Sequence, residues 1–185
     1  MKDKQEKEMT FWEHLDELRS TLWRIIIALI VTTILTFVFK DFLFDTILLA
    51  PRSDSFITYR ILCRIGEWLS TPTLCVDPAR FNLININLAG QFTSHMTISF
   101  IAGLILALPF VLWEFWRFIK PGLTHREVRN SRGAVAITSL LFILGVLFGY
   151  FIVVPLMINF LGGYTVSAEV VNQIALTSYV SSVAM

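Results

Sequence analysis

The sequence predicts an all-α fold, a polytopic membrane helical bundle with three complete transmembrane helices, the start of a fourth, and an N-terminal amphipathic interfacial helix. Three observations carry this. The 185 residues are 55% hydrophobic and only 16% charged, with a mean hydropathy of +0.68, far too apolar for an ordinary water-soluble domain. The apolar residues gather into long runs of membrane-crossing length. Lys and Arg collect in the short flanks of those runs and thin out elsewhere. A net charge of +1, with no basic stripe interleaved with aromatics, excludes a nucleic-acid partner.

Residues 1–21 form a polar N-terminus. Thr10 followed by Glu13 has the form of a capping box, so a helix is expected to start there. It carries Phe11, Leu15, Leu18 and Leu22 on one face and Glu13, Glu17, Ser20 and Arg24 on the other. That pattern predicts an amphipathic helix on the membrane surface before the chain turns inward. Lys alternates with Asp and Glu at the start, and no small-residue processing site follows Phe39, so the first span is expected to persist.

The first span covers residues 22–39, roughly 27 Å at about 1.5 Å per residue, which matches a bilayer core. Residues 40–97 make a long outer loop. The second span covers 98–119, with Gly103, Ala107 and Pro109 inside it favouring close helix packing. A short basic loop, 120–133, leads to the third span, 134–161, which is long enough to tilt or project. Pro155 kinks it near its end. Residues 162–185 hold a polar loop and, from Ile174 to Met185, the beginning of a fourth span, as expected of a piece of a larger membrane protein.

The basic cluster Arg117, Lys120, Arg126, Arg129 and Arg132, with Lys2, Lys4, Lys7, Arg19 and Arg24, puts the N-terminus and the 120–133 loop in the cytoplasm. The loop 40–97 then faces the oxidising side, where Cys63 and Cys75 are either disulfide-bonded or free thiols. A bridge closing so short a loop would contribute roughly 3 kcal/mol. No metal-ligand spacing is present; His95 lies twenty residues from Cys75.

The residues that could do chemistry are carboxylates. The inner leaflet is negative and attracts Lys and Arg, so Glu17 is an odd choice for a mere anchor. A carboxylate accepts two parallel hydrogen bonds from guanidinium, whereas an ammonium cannot match that fork. A site built on Glu17 would therefore distinguish arginine from lysine. Glu127 sits among His125, Arg126, Arg129 and Arg132, which leaves open a local surface ion pair. Glu114 and Arg117, between Trp113 and Trp116, read as a self-neutralised pair in an aromatic belt. The spans read as lacking the buried charges of an ion-coupled transporter, and no catalytic constellation or cofactor motif is apparent.

Three ordered motifs resemble the TatC family of twin-arginine protein translocase subunits. His14-Leu15-Asp16-Glu17-Leu18-Arg19 resembles its N-terminal signature. Phe118-Ile119-Lys120-Pro121-Gly122-Leu123 followed by Glu127 resembles its first cytoplasmic loop, and Gly149-Tyr150-Phe151 with Val154-Pro155-Leu156 its third span. The resemblance implies a six-span receptor in the bacterial cytoplasmic membrane, N-terminus inside. Such a receptor binds twin-arginine signal peptides of folded precursors for export driven by the proton motive force.

It implies partners too: single-span subunits of the TatA and TatB type, further copies of itself and membrane lipid, with no enzyme activity and no cofactor. It assigns signal-peptide binding to Glu17, Glu127 and Phe118, with Leu18 beside them and Arg19 orienting the acidic site. It gives Pro51, Pro121 and Pro155 structural roles. The stretch from about 52 to 85, with both cysteines, looks like an insertion relative to the family. A solute or ion transporter subunit and a structural membrane scaffold are the competing readings.

Overall fold

A computed structural model describes residues 11–53, 56–68, 81–131, 133–164, 167 and 173–184. The chain opens with α1 (Phe11–Val38), followed by a π-helical turn over Phe42–Leu48 and a short 3-10 turn over Ala50–Arg52. Helix α2 (Ile57–Trp68) and strand β1 (Asn82–Ile84) lie in the long loop before α3 (Gly90–Ile119). A 3-10 turn over Lys120–Gly122 leads to the short α4 (His125–Asn130). Helix α5 (Ala134–Phe148) runs through a π-helical turn, Gly149–Val153, into α6 (Val154–Gly163), and strand β2 (Gln173–Ala175) precedes α7 (Leu176–Ala184).

Among the described residues, three helical stretches are long and apolar enough to cross a membrane: His14–Val38, Gly90–Gly122 and Ala134–Gly163, with mean hydropathies of 2.2, 2.2 and 2.7. Their outward faces are rich in large apolar side chains, including Ile27, Val31 and Ile34 on α1 and Leu140, Leu141 and Leu144 on α5, as lipid-facing surfaces require.

Two boundaries differ from the sequence reading. The N-terminal amphipathic segment does not lie apart from the first span; it continues into it as one 28-residue helix. No Gly or Pro between Ser20 and Arg24 offers a place to turn. Helix α3 has 30 residues and starts at Gly90, well before residue 98. Hydropathy marks only the part of a helix that lies in hydrocarbon, and the polar turn Gln91–Ser94 extends the same helix beyond it.

Helices α1 and α3 pack backbone to backbone. A Cβ on Gly103 would lie 2.8 Å from both the Cα and the amide nitrogen of Thr33, so only glycine permits this approach. One turn away, the buried Thr36 hydroxyl donates to the Ser99 carbonyl at 2.7 Å. At the far end of α1 the His95 ring stacks on Phe37, with centroids 4.0 Å apart, and its Nε2 lies 3.2 Å from the Phe37 carbonyl oxygen.

The buried core gathers at this far end, where Leu43, Leu48, Phe81, Ile98, Val154, Ile158, Tyr179 and Val180 meet. Strands β1 and β2 pair in parallel above it, Asn82 with Gln173 through Ile84 with Ala175. Three-residue strands leave no alternation long enough to read from sequence, which is why the all-α expectation missed them. The stretch expected to begin a fourth span holds β2 and then the nine-residue α7.

Pro155 lies at the start of α6, within two residues of the π-helical turn. Lacking an amide hydrogen, it leaves the Phe151 carbonyl without its usual helical donor. The hydroxyl of Thr58, on α2, donates to that carbonyl instead. The neighbouring Tyr59 hydroxyl lies 3.0 Å from the Pro51 carbonyl and 3.3 Å from that of Pro155, sharing one proton between them. Burial of the Tyr59 ring raises its phenol pKa, so the hydroxyl stays a donor. The loop helix thus satisfies backbone groups that a proline-interrupted span in lipid would otherwise leave bare.

Candidate functional site

The site region is the end of the bundle opposite the core, where the first turns of α1 meet the last turns of α3. The ring of His14 stacks on Phe118, with centroids 4.5 Å apart and planes 25° from parallel. Glu17 and Leu18 stand three and four residues beyond His14, on the same helical flank. Glu17 is partly exposed, while Leu18 and Arg19 are exposed. Among the described residues Glu17 has no hydrogen-bond or ion-pair partner, so its acceptor sites are open. Thr10 and the Glu13 side chain, the expected cap of this helix, lie outside the described residues.

Phe118 lies in the last turn of α3 and Pro121 sits exposed in the 3-10 turn that follows, a position where its missing amide hydrogen costs no helical bond. The chain then starts α4 at Thr124. Its amide nitrogen donates to Glu127 Oε2 at 2.8 Å, and its side chain accepts from the Glu127 backbone, completing a capping box. Glu127 is therefore not held in a local pair with Arg126 or Arg129. The Thr124 backbone bond, with a second from its side chain, holds the Glu127 carboxyl below the usual carboxylate range. The cap engages Oε2, and the Glu127 side chain is exposed at the surface.

Glu114 departs from the sequence reading. It is buried, at 4% exposure, and its nearer charge partner is across the helix interface: Arg24 Nε lies 3.0 Å from Oε2, while Arg117 is 3.9 Å from Oε1. Arg24 also donates to the Thr21 hydroxyl at 3.1 Å. The Arg24 N–H is not aligned on the carboxylate, so the contact is an ion pair rather than a directed hydrogen bond. A span helix thus carries a buried charge where none was expected, and the charge is compensated by the neighbouring span.

The structure brings together His14 and Phe118, and through them places Glu17 and Leu18 at the end of the bundle from which α4 and Glu127 follow. No hydrogen-bond or ion-pair network links Glu17 to Glu127 among the described residues. His14 and Arg24 are the participants that sequence reasoning missed. His14 opens the N-terminal motif and Arg24 follows it, but nothing in their spacing reveals partners about a hundred residues away.

The remaining assigned residues lie at the other end. Pro51 is buried in the Ala50–Arg52 turn and offers its carbonyl to Tyr59. Cys63, on α2, is disulfide-bonded; Cys75 lies outside the described residues. No group of His, Cys, Asp and Glu able to hold a metal ion occurs among the described residues.

Residues 13–185 match the family described as "Sec-independent protein translocase protein (TatC)". The chain is 40% identical over 181 residues to the protein of that name from Blattabacterium sp. subsp. Periplaneta americana, covering 96% of this chain and 67% of the relative. It is 36% identical over 155 residues to the one from Aquifex aeolicus, covering 84% and 55%. A solved structure described as "Crystal Structure of Twin Arginine Translocase Receptor- TatC" superposes with a TM-score of 0.68 at 32% identity, over 93% of this chain and 66% of that one. The chain thus spans between about half and two thirds of the length of these relatives. With a family match over nearly its whole length and the same helical architecture, this chain belongs to the TatC family.

Proposed function

We propose that this chain is the signal-peptide-binding part of a twin-arginine translocase receptor, and that the paired arginines of a precursor are read by Glu17 and Glu127. The observation that carries it is the His14–Phe118 stack, which fixes the Glu17 flank of α1 against the end of α3 just before the loop that bears Glu127. Glu17 is partly exposed and Glu127 is exposed with its carboxyl held in the ionised form, so each can take a guanidinium through charge-assisted hydrogen bonds. Leu18 and Phe118 offer apolar surface to the residues flanking the arginines, and Arg19 orients the acidic site.

On this reading the N-terminus and α4 face the cytoplasm of a bacterium and α2 faces outward, with the Cys63 bridge closed by Cys75. Single-span subunits of the TatA and TatB type, further copies of this chain and membrane lipid are its partners. The proton motive force drives transport. The buried Glu114 does not favour a transporter of solutes or ions, because Arg24 already neutralises it.

The test is photocrosslinking in inverted vesicles, with a photoreactive residue at Leu18 or Phe118 and a twin-arginine precursor beside a twin-lysine control. Crosslinks that require arginine and vanish in Glu17→Lys and Glu127→Lys chains are expected. Crosslinking of equal strength to both precursors, or its survival in the doubly substituted chain, would overturn the proposal.

A further inference from the structure

Helix α2 belongs to the stretch that looks like an insertion relative to the family, and it has two faces. Thr58, Tyr59 and Gly66 are buried against the bundle, while Ile57, Ile61, Ile65 and Trp68 are exposed, Trp68 to 86%. At about 100° per residue, those four apolar side chains fall within an arc of about 80°. Arg60 and Arg64 border the arc on one side, with Glu67 beyond them, and all three are exposed. The buried face borders it on the other side. Passing round the helix, the order is bundle, charged residues, apolar residues, bundle. So much apolar surface held open on one short helix marks an interaction surface.

The height of α2 along the bundle says what covers it. The helix is pinned to the third candidate span through the carbonyls of Phe151 and Pro155. These stand roughly 26 and 32 Å along that span from Ala134, at about 1.5 Å per residue. A hydrocarbon core is about 30 Å thick, so a span that enters it at Ala134 leaves it where α2 is attached. Within a turn of the two carbonyls the span itself exposes Ile152, Val153 and Leu156, and the medium that bathes them reaches α2.

The helix is also the right way up. Thr58, on the edge of the buried face next to the apolar arc, grips Phe151; Tyr59, towards the charged edge, reaches Pro155 and Pro51. Pro155 lies roughly 6 Å farther from Ala134 than Phe151 does. The apolar arc is therefore on the hydrocarbon side and Glu67 on the water side, with the two arginines at the boundary between them. A protein seated on the outside of α2 would call for an apolar arc centred opposite the buried face, whereas this one is displaced to the membrane side. Among the described residues neither Arg60 nor Arg64 makes an ion pair, which leaves both guanidinium groups for phosphate. We propose that α2 lies in the interfacial layer of the bilayer, with Ile57, Ile61 and Ile65 at the acyl-chain boundary and Arg60 and Arg64 on phospholipid phosphates. Trp68 then sits at headgroup level, where indole rings are favoured.

The inference does not rest on signal-peptide recognition and needs no precursor. A nitroxide amino acid is introduced into the full chain by codon suppression in place of Ile57, Ile61, Ile65 or Glu67, one at a time. Each chain is reconstituted in phosphatidylethanolamine and phosphatidylglycerol vesicles. Spin relaxation is then read with oxygen, which concentrates in hydrocarbon, and with a nickel chelate, which stays in water. All four positions lie off the buried face, so the Thr58 and Tyr59 bonds remain. The ratio of oxygen to chelate collisions is expected to be several-fold higher at 57, 61 and 65 than at 67. Arg60→Glu with Arg64→Glu should lower the ratio at 61, whereas Arg60→Lys with Arg64→Lys should keep it high.

Ratios at 61 and 65 no higher than at 67 would put that face in water and overturn the proposal. Weak collision with both reagents at 61 and 65 would overturn it equally, by showing that a second copy of the chain or another protein covers the face. A ratio at 61 that both pairs of arginine substitutions lower, or that neither lowers, would overturn the role given to the arginines.

Discussion

Arg24 and Glu114, ninety residues apart, hold the first and second candidate spans together through a contact of 3.0 Å in which the carboxylate is almost wholly buried. The pair lies about two to three helical turns from Glu17, so the register of α1 against α3 at the proposed reading face depends on it. Removing Arg24 strands the carboxylate. Breaking a fully buried pair costs about 3–5 kcal/mol, and the 36% exposure of the Arg24 side chain brings the expectation down to roughly 1–3 kcal/mol. Arg24→Gln should lower thermal stability in detergent accordingly, and Arg24→Gln with Glu114→Gln should recover part of the loss. A double variant as unstable as the sum of the single ones would show that the charges do not interact.

Gly103→Ala should loosen the same interface by a different route. The added Cβ meets the backbone of Thr33, which cannot rotate away, so the two helices must separate. Overpacking of this kind costs about 1–3 kcal/mol. A cysteine pair engineered across the interface should also form its crosslink more slowly in the Gly103→Ala chain. An unchanged crosslinking rate would contradict the close approach.

Thr58→Ala should destabilise the chain only while Pro155 is present. The substitution leaves the Phe151 carbonyl unpaired, at about 1–3 kcal/mol, whereas Pro155→Ala restores the helical amide that would satisfy it. Denaturation of the two single variants and the double should therefore show that Thr58→Ala costs less in the Pro155→Ala background. Equal costs in both backgrounds would mean that the hydroxyl is not compensating for the proline.

The cap on Glu127 has a pH signature. Its folded carboxyl pKa is lowered, chiefly by the Thr124 backbone bond, so the stabilisation is complete above the ordinary value of 4.5 and disappears as pH falls through the lowered one. Thr124→Ala removes the side-chain contribution and should move the Glu127 titration part of the way back up. Carbon NMR of the labelled carboxyl would show the shift; an unchanged titration would leave the Thr124 hydroxyl without the role described.

The spans were legible because lipid imposes a simple rule on composition, and runs obeying it stand out in any window. The proposed reading face was half legible. Glu17 and Glu127 could be singled out by motif, and the sequence Thr124-His125-Arg126-Glu127 carries the same spacing that flagged Thr10 and Glu13. The surrounding arginines drew attention to ion pairing, and the cap went unread. Arg24 with Glu114, His14 with Phe118 and Thr58 with Phe151 were not legible at all. Each is a contact between distant segments, fixed by how α1, α3 and the loop helix dock, and local periodicity carries no information about docking.

The way α2 meets the span that carries Pro155 also governs which positions are free to vary. Thr58 and Tyr59 grip main-chain oxygens, which every amino acid supplies, so the hydrogen bond to position 151 survives any side chain there. The obligation falls on the loop: a hydroxyl at 58 is needed for as long as 155 is proline. A segment that looks like an insertion in the sequence is thereby tied to a single residue of the span. Shortening it would have to be accompanied by loss of that proline, or by another donor brought to the same carbonyl.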